Sequence, residues 1–369
     1  MALRYIIFFT SFLGVLFLGS YSIYKAFRFV NVFGKTGNLV MLIVLIAIPI
    51  LFIATSVIGT KIHSVINDFL YLVSCLFLPV LLYLFLGAVV LTIFSIFIPV
   101  PANILFYKIL TYSILAITFV TSIYGVINAK KFTINNITIP KENRLSRDWS
   151  GKKIVLVSDT HIGVINKKAF LNRVVNLINK QNPDVVLIAG DLIDGPKFDI
   201  QKNLEPLKNL KASIGVYYSP GNHEIYSSNQ KELYDFTDKY VTGLRDQKIV
   251  VNNTELIGLM YDAGETVEGL QNRLYKVGFN KDKPTILIIH EPKNNQALQS
   301  FGVDLSVSGH THGGQIWPIT IPAYRIFKEY THNLVVKNNT ASITSTGIGT
   351  WGPPMRIGTK PEIIVITFE

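Results

Sequence analysis

Leu305-Ser306-Val307-Ser308-Gly309-His310-Thr311-His312-Gly313-Gly314 joins a short apolar run to two alternating histidines bracketed by glycines. The i, i+2 spacing would place the two imidazoles on opposite sides of a helix, but from a strand end or turn both can aim at one point. The same layout occurs four times upstream. Ile154 to Val157 leads into Asp159-Thr160-His161, and Val185 to Ala189 leads into Gly190-Asp191. Ile214 to Tyr218 leads into Gly221-Asn222-His223-Glu224, and Ile286 to Ile289 leads into His290-Glu291-Pro292. Apolar runs of this kind fit strands covered on both faces. Between them lie segments of helical period, such as Phe170, Leu171, Val174, Val175 and Ile178, and the stretch Glu268 to Val277. The alternation predicts an α/β domain whose functional loops sit at the carboxyl ends of its strands. The alternating Phe132 to Ile139 reads as an edge strand.

Taken singly, Asp-x-His is a solvated turn, Gly-Asp a turn or cap, and His290 a core histidine. Five of the chain's seven histidines nevertheless fall in these motifs. Carboxylate, amide and imidazole donors at successive strand ends are what a centre of two cations requires, since it needs roughly seven or eight converging ligands. Asp191 offers a carboxylate able to bridge two ions, and Gly190 permits close backbone approach. The sole cysteine, Cys75, lies in an apolar run, so no thiolate joins the set and no disulfide forms within the chain. Hard and borderline donors suit Mn²⁺ first, with Fe or Zn²⁺ as alternatives.

In this order the motifs closely resemble the calcineurin-like metallophosphoesterase superfamily, whose signature is Asp-x-His, Gly-Asp, Gly-Asn-His-(Asp/Glu), a distal His and Gly-His-x-His. The resemblance covers residues 132–369. Gly309 to Gln315, the tail Gly347 to Arg356 and the closing Pro361-Glu362-Ile363 look like the bacterial membrane-associated branch, which includes proteins similar to UDP-diacylglucosamine pyrophosphohydrolases. The resemblance implies a four-layer α-β-β-α sandwich. It implies one metal held by Asp159, His161, Asp191 and His312, and a second held by Asp191, Asn222, His290 and His310. It casts His223 as a catalytic residue beside the metals, with Glu224 orienting its loop. Arg356, approached through Gly352-Pro353-Pro354, is a candidate grip on a second phosphate.

The rest of the chain has another composition. Residues 1–131 hold eight basic residues (Arg4, Lys25, Arg28, Lys35, Lys61, Lys108, Lys130 and Lys131) against one acid, Asp68, and so carry most of the formal net charge of +11. Four stretches are apolar over the about 20 residues needed to cross a bilayer: Tyr5 to Tyr24, Asn38 to Gly59, Phe69 to Phe97 with Pro79 as a place to kink, and Asn103 to Ala129. The expected organisation is a four-helix transmembrane region, residues 1–131, followed by the metallophosphoesterase domain, residues 132–369. With four spans, Arg4, Lys61, Lys130 and Lys131 share one side and Lys25, Arg28 and Lys35 the other. That difference, with Lys141, Arg144 and Arg147 after the last span, places the catalytic domain in the cytoplasm. Lys108 sits where it can snorkel to the interface.

Because the positive charge flanks apolar runs, it argues for membrane topology and against nucleic acid. The expected activity is hydrolysis of a phosphodiester or pyrophosphate in a lipid-linked or nucleotide-linked substrate, through a hydroxide held between two divalent ions. A broad phosphomonoesterase or protein phosphatase is the alternative enzyme. A membrane scaffold without turnover would show degenerate ligands, and none is seen. The sequence fixes no oligomeric state.

Overall fold

The computed structural model describes residues 2–31, 33–59, 62, 64–195, 197–227, 229–264 and 266–369, with the side chains of residues 2–13, Ala263 and Gly264 outside that description. Lys61, one of the charges compared above, also lies outside it. The chain divides into two compact units, Met1–Ile127 with Gly352–Met355, and Asn128–Trp351 with Arg356–Glu369.

The first unit is helical: α1 (Ala2–Val30), α2 (Gly34–Gly59), α3 (Val65–Phe97) and α4 (Ile104–Asn128, whose last residue belongs to the second unit). Among the described residues three helices are long and apolar enough to cross a membrane, Gly34–Gly59, Val65–Phe97 and Pro101–Asn128, rather than the four expected. The expected first span, Tyr5 to Tyr24, falls in α1, whose first side chains are outside the description. α3 runs unbroken through Pro79. Ile23, Phe27, Leu45, Ile48, Leu81, Ala88, Leu91 and Ile114 pack together inside the unit, while Val40, Ile43, Ile93, Phe97 and Phe119 stay exposed. Helices apolar all round belong either to a large buried core or to a membrane span.

The second unit contains two six-stranded sheets among the described residues. The strands of the first are β1 (Thr133–Ile139), β2 (Ile154–Val157), β3 (Val185–Ala189), β4 (Gly215–Ser219), β5 (Thr242–Gly243) and, from the chain's end, β12 (Glu362–Phe368), in the order β1-β12-β2-β3-β4-β5. The second comprises β6 (Gln247–Val251), β7 (Thr254–Gly258), β8 (Thr285–Ile288), β9 (Leu305–Ser308), β10 (Asn333–Lys337) and β11 (Thr340–Thr344), in the order β10-β11-β9-β8-β7-β6. β1 occupies an edge, parallel to β12. The connecting helices are α5 (Ser146–Trp149), α6 (Lys168–Asn179), α7 (Ile200–Leu204), α8 (Asn222–Tyr226), α9 (Gln230–Thr237), α10 (Val267–Lys276), α11 (Asn295–Phe301) and α12 (Thr320–Phe327).

Period-two burial explains the layering. Ile154, Leu156, Val185 and Leu187 from one sheet pack against Ile286, Ile288, Leu305 and Val307 from the other. Their neighbours Val155, Val157, Val186 and Ile188 point the opposite way, onto Leu171, Val174, Val175 and Ile178 of α6 and onto α7 and α9. Leu287 and Ile257 likewise meet Leu270 and Leu274 of α10 and Leu298 of α11. The order across the unit is therefore helix, sheet, sheet, helix. Burying each such aliphatic side chain contributes roughly 1.5–3 kcal/mol. β2, β3 and β4 run parallel, as do β8 and β9, so their carboxyl ends and the following loops gather at one end of each sheet. Arg144, counted above among the charges after the last span, is committed within this unit. It grips both carboxylate oxygens of Asp304 at 2.7 and 2.8 Å and donates to the carbonyls of Lys281 and Gly302.

Candidate metal centre

Every motif singled out in the sequence sits just past a strand: Asp159 after β2, Asp191 after β3, Asn222 at the start of α8 after β4, His290 after β8, and His310 and His312 after β9. Five of these side chains stand on left-handed backbone, with φ of 55° at Asp159, 47° at His161, 51° at Asp191, 69° at His310 and 49° at His312. Such a conformation costs an L-residue of the order of 1–2 kcal/mol and is tolerated best by Asp, Asn and His. At Gly190, φ is 80°, and a Cβ there would lie 2.5 Å from His290 Nδ1 and 2.7 Å from the Gly221 nitrogen, so the position admits no side chain.

The donor atoms form two groups. In the first, His161 Nε2 and His312 Nε2 are 3.0 Å apart, and Asp159 Oδ1 lies 3.8 and 3.4 Å from them. In the second, His310 Nδ1 lies 3.0 Å from Asn222 Oδ1 and 3.3 Å from His290 Nε2. Asp191 Oδ2 stands 3.1 Å from His290 Nε2 and 3.8 Å from His161 Nε2, so one oxygen faces both groups. Ligands about 2.0–2.2 Å from a common ion are themselves separated by roughly 3–3.6 Å, so these residues fit divalent cations. The tautomer at His290 fits as well. Its Nδ1–H donates to the Ala189 carbonyl at 2.7 Å, which leaves the Nε2 lone pair for a cation.

Most of the site's side chains are buried, and their charges are set accordingly. Burial lowers His161 to about 4 and His310 to about 3, and holds His312 well down, so all three rings are neutral ligands at neutral pH. Burial raises Asp159 to about 6. At His290 burial acts in the opposite sense to Asp191, yet the carboxylate prevails and the ring is pushed up to about 10. A cation taking Nε2 must displace that proton. Cation binding at pH 8 is therefore expected to release a proton from His290 and to tighten as pH rises toward about 10. It should weaken further as pH falls through about 6, where Asp159 protonates. Titration calorimetry with Mn²⁺ in two buffers of different ionisation enthalpy measures this directly, and a binding heat independent of buffer would contradict it.

Behind the ligands, Glu224 is fully buried and accepts hydrogen bonds from the backbone N–H groups of Asp191, Gly221 and Ile193 at 2.9, 2.6 and 3.1 Å. It thereby fixes the Asp191 loop to the Asn222 loop. His223 lies outside these two groups, its Nε2 3.9 Å from Asp191 Oδ2, although with His161 and Asp194 it forms a third cluster of donor atoms close enough to share an ion. Its Nδ1 is 2.8 Å from Asp194 Oδ1, a residue the motif reading passed over. Burial opposes protonation of His223, but Asp191 and Asp194 push it up to about 10. The signal for Asp194 was present three residues beyond Asp191, as an acid in an otherwise apolar turn. An aromatic rim encloses the site: Trp351 lies 6.4 Å from the His223 ring, Tyr261 5.9 Å from His310 and 6.2 Å from His290, and Phe327 5.9 Å from His310.

Arg356 departs from expectation. The sequence casts it as a grip on substrate phosphate, but the side chain is fully buried and directed into the protein. Its Nη2 donates to the carbonyls of Thr346, Gly347 and Gly349 at 2.8, 3.0 and 2.6 Å, and its Nε to Gly349 at 3.1 Å. A guanidinium meets this need because its planar fork satisfies several carbonyls at once, here those of the loop whose Gly349 N–H donates to the Asp159 carbonyl. Arg356→Ala is expected to cost about 3–5 kcal/mol of stability by leaving a cavity and unpaired buried carbonyls. Thermal unfolding of the variant tests it, and an unchanged melting temperature with a raised KM would restore the phosphate-gripping role.

Comparison with known proteins places the motifs in a wider frame. The sequence model of the calcineurin-like phosphoesterase family matches residues 152–314. A Helicobacter pylori protein named an uncharacterized metallophosphoesterase is 36% identical over 222 residues, covering 57% of this chain and 58% of that protein. A zebrafish (Danio rerio) protein named transmembrane protein with metallophosphoesterase domain is 31% identical over 275 residues, 69% of this chain and 62% of its own length. A metallophosphoesterase from Aquifex aeolicus is 27% identical over 255 residues, 66% of this chain and 92% of its own length. The chain thus spans about three fifths of the length of the first two of these relatives. With the strand-end ligands in family order and the donor groups spaced for cations, residues 152–314 are similar to a calcineurin-like phosphoesterase domain.

Proposed function

We propose that the chain is a multi-pass membrane-anchored phosphoesterase that binds two divalent cations and hydrolyses a phosphodiester or pyrophosphate bond in a lipid-linked or nucleotide-linked substrate. Asp159, His161, Asp191 and His312 would hold one ion, and Asp191, Asn222, His290 and His310 the other, with Mn²⁺ the first choice of metal. The observation that carries the reading is Asp191 Oδ2, one oxygen facing His161 Nε2 at 3.8 Å and His290 Nε2 at 3.1 Å. When bound, the cations supply Lewis-acid charge and a lowered pKa for water. Asp159 and Asp191 would keep that charge local, and His161, His290, His310 and His312 would donate ring lone pairs, His290 from the tautomer fixed by the Ala189 carbonyl. His223, oriented by Asp194, holds a proton at Nε2 for the leaving oxygen. The apolar rim of Tyr261, Phe327 and Trp351 favours a substrate with a hydrophobic or planar portion over a phosphorylated protein surface.

α1 joins α2–α4 as a fourth span in this reading, and the basic residues beside the spans support a cytoplasmic catalytic domain. Two measurements test the proposal. Detergent-purified full-length protein with Mn²⁺ is expected to cleave diesters or pyrophosphates faster than monoesters, and a preference for phosphomonoesters or phosphoproteins would replace this reading with the broad phosphatase. A cysteine introduced into the catalytic domain is expected to resist a membrane-impermeant thiol reagent in intact cells, whereas labelling would put the domain outside.

A further inference from the structure

α12 and the loop before it turn apolar side chains outward. No residue of α12 is buried, and Trp317, Ile319, Ile321, Tyr324 and Ile326 are 50%, 48%, 47%, 61% and 67% exposed. The face toward the protein is the narrow stripe Thr320, Ala323 and Phe327, spaced three and four residues apart, and its Phe327 edge meets the ring of His310. The element is rigidly built. Trp317 N–H donates to the Ile357 carbonyl at 2.8 Å, and Gln315 exchanges two hydrogen bonds with the backbone of Trp351, at 3.0 and 2.9 Å. That pair anchors Trp351, itself 54% exposed. Residues 317–328 contain Arg325 and Lys328 and no acid.

Exposed tryptophan, tyrosine and isoleucine, with basic residues and no acid, match the headgroup boundary of a bilayer that carries anionic lipid. We propose that Trp317 to Lys328 is a membrane seat: α12 lies in the interface of the bilayer, with Ile319, Ile321, Tyr324 and Ile326 among the acyl chains and Arg325 and Lys328 at the headgroups. The inference rests on the reading that α2–α4 span that bilayer. It brings the rim residue Phe327, and with it the His310 side of the candidate centre, to the lipid surface.

The three tryptophans of the chain allow a direct test, because none lies in residues 1–131 and Trp149 is buried at 1% exposure. The full chain is reconstituted into vesicles of phosphatidylcholine and phosphatidylglycerol, floated, and its fluorescence recorded with and without lipids brominated near the headgroup. The emission lost in Trp317→Phe is expected to be blue-shifted and quenched by the bromines. An Ile321→Glu, Ile326→Glu double variant, which removes no buried side chain, should fold normally and lose that quenching several-fold. Vesicle-borne protein whose Trp317 emission is untouched by bromine overturns the seat while leaving the spans in place, and this includes a Trp317 shielded by a second copy or another protein. A chain that fails to float overturns the membrane reading and the seat together.

Discussion

Asp191→Ala is expected to yield protein that retains neither cation and turns over at background. The carboxylate is the shared member of both donor groups, so its removal takes an anion from each, and the remaining rings cannot replace the charge. Each cation contributes several kcal/mol to the transition state, and about 1.4 kcal/mol is tenfold in rate, so the fall is of the order of 10⁴-fold or more. Folding should survive, since Glu224 bonds the Asp191 backbone N–H and not its side chain. Elemental analysis of the purified variant decides the matter, and two retained ions would end the bridging assignment. Asp191→Asn separates charge from shape: it keeps the volume, and it should bind metal poorly as well.

For His223→Ala the expectation is the reverse pairing, both cations kept and kcat lowered about 10²- to 10⁴-fold, the usual worth of a positioned general acid. The loss should shrink for substrates with an aryl oxide leaving group, which needs no proton, whereas purely electrostatic support of the phosphoryl group would cost similar amounts across leaving groups. Asp194→Asn adds a pH signature. Asp194 helps Asp191 hold the proton on His223 against burial, so removing its charge should move the alkaline limb of kcat to lower pH. Bound cations also pull that limb below about 10, and the comparison is therefore made with the same metal in both proteins. Loss of an ion from His223→Ala would reject its place outside the donor groups, and an unchanged rate with a poor leaving group would reject the acid.

Much of this was legible because strands buried on both faces write themselves as apolar runs, and the ligands follow those runs within a few residues. β2 and β3 occupy the residues read as runs, Ile154–Val157 and Val185–Ala189. The paired sheets' outer strands were harder to see. β6–β7 and β10–β11 are hairpins closed by Asn252-Asn253 and Asn338-Asn339, each pair with both φ positive, and two asparagines are a weaker turn signal than Asn-Gly. β12 completes the first sheet from the far end of the chain, between β1 and β2, a pairing that no local pattern carries. At the site, charge type was readable but burial was not. Arg356 beside glycines and prolines looks like a surface hand for phosphate, and only the three-dimensional position of the 346–349 carbonyls reveals what it holds. Asp194 was hidden for the complementary reason, since its value lies in a contact with a ring 29 residues away.

The left-handed backbone at Asp159, His161, Asp191, His310 and His312 has a consequence for how this chain can change. Glycine would relax each of these positions, so in the absence of metal the ligands are what the fold would gain by losing. A library selected for heat resistance alone, in chelator, is expected to accumulate glycine at those five places and so to drift toward a sturdier shell with an empty centre. Heat tolerance and chemistry thus pull this sequence in opposite directions at the same five codons.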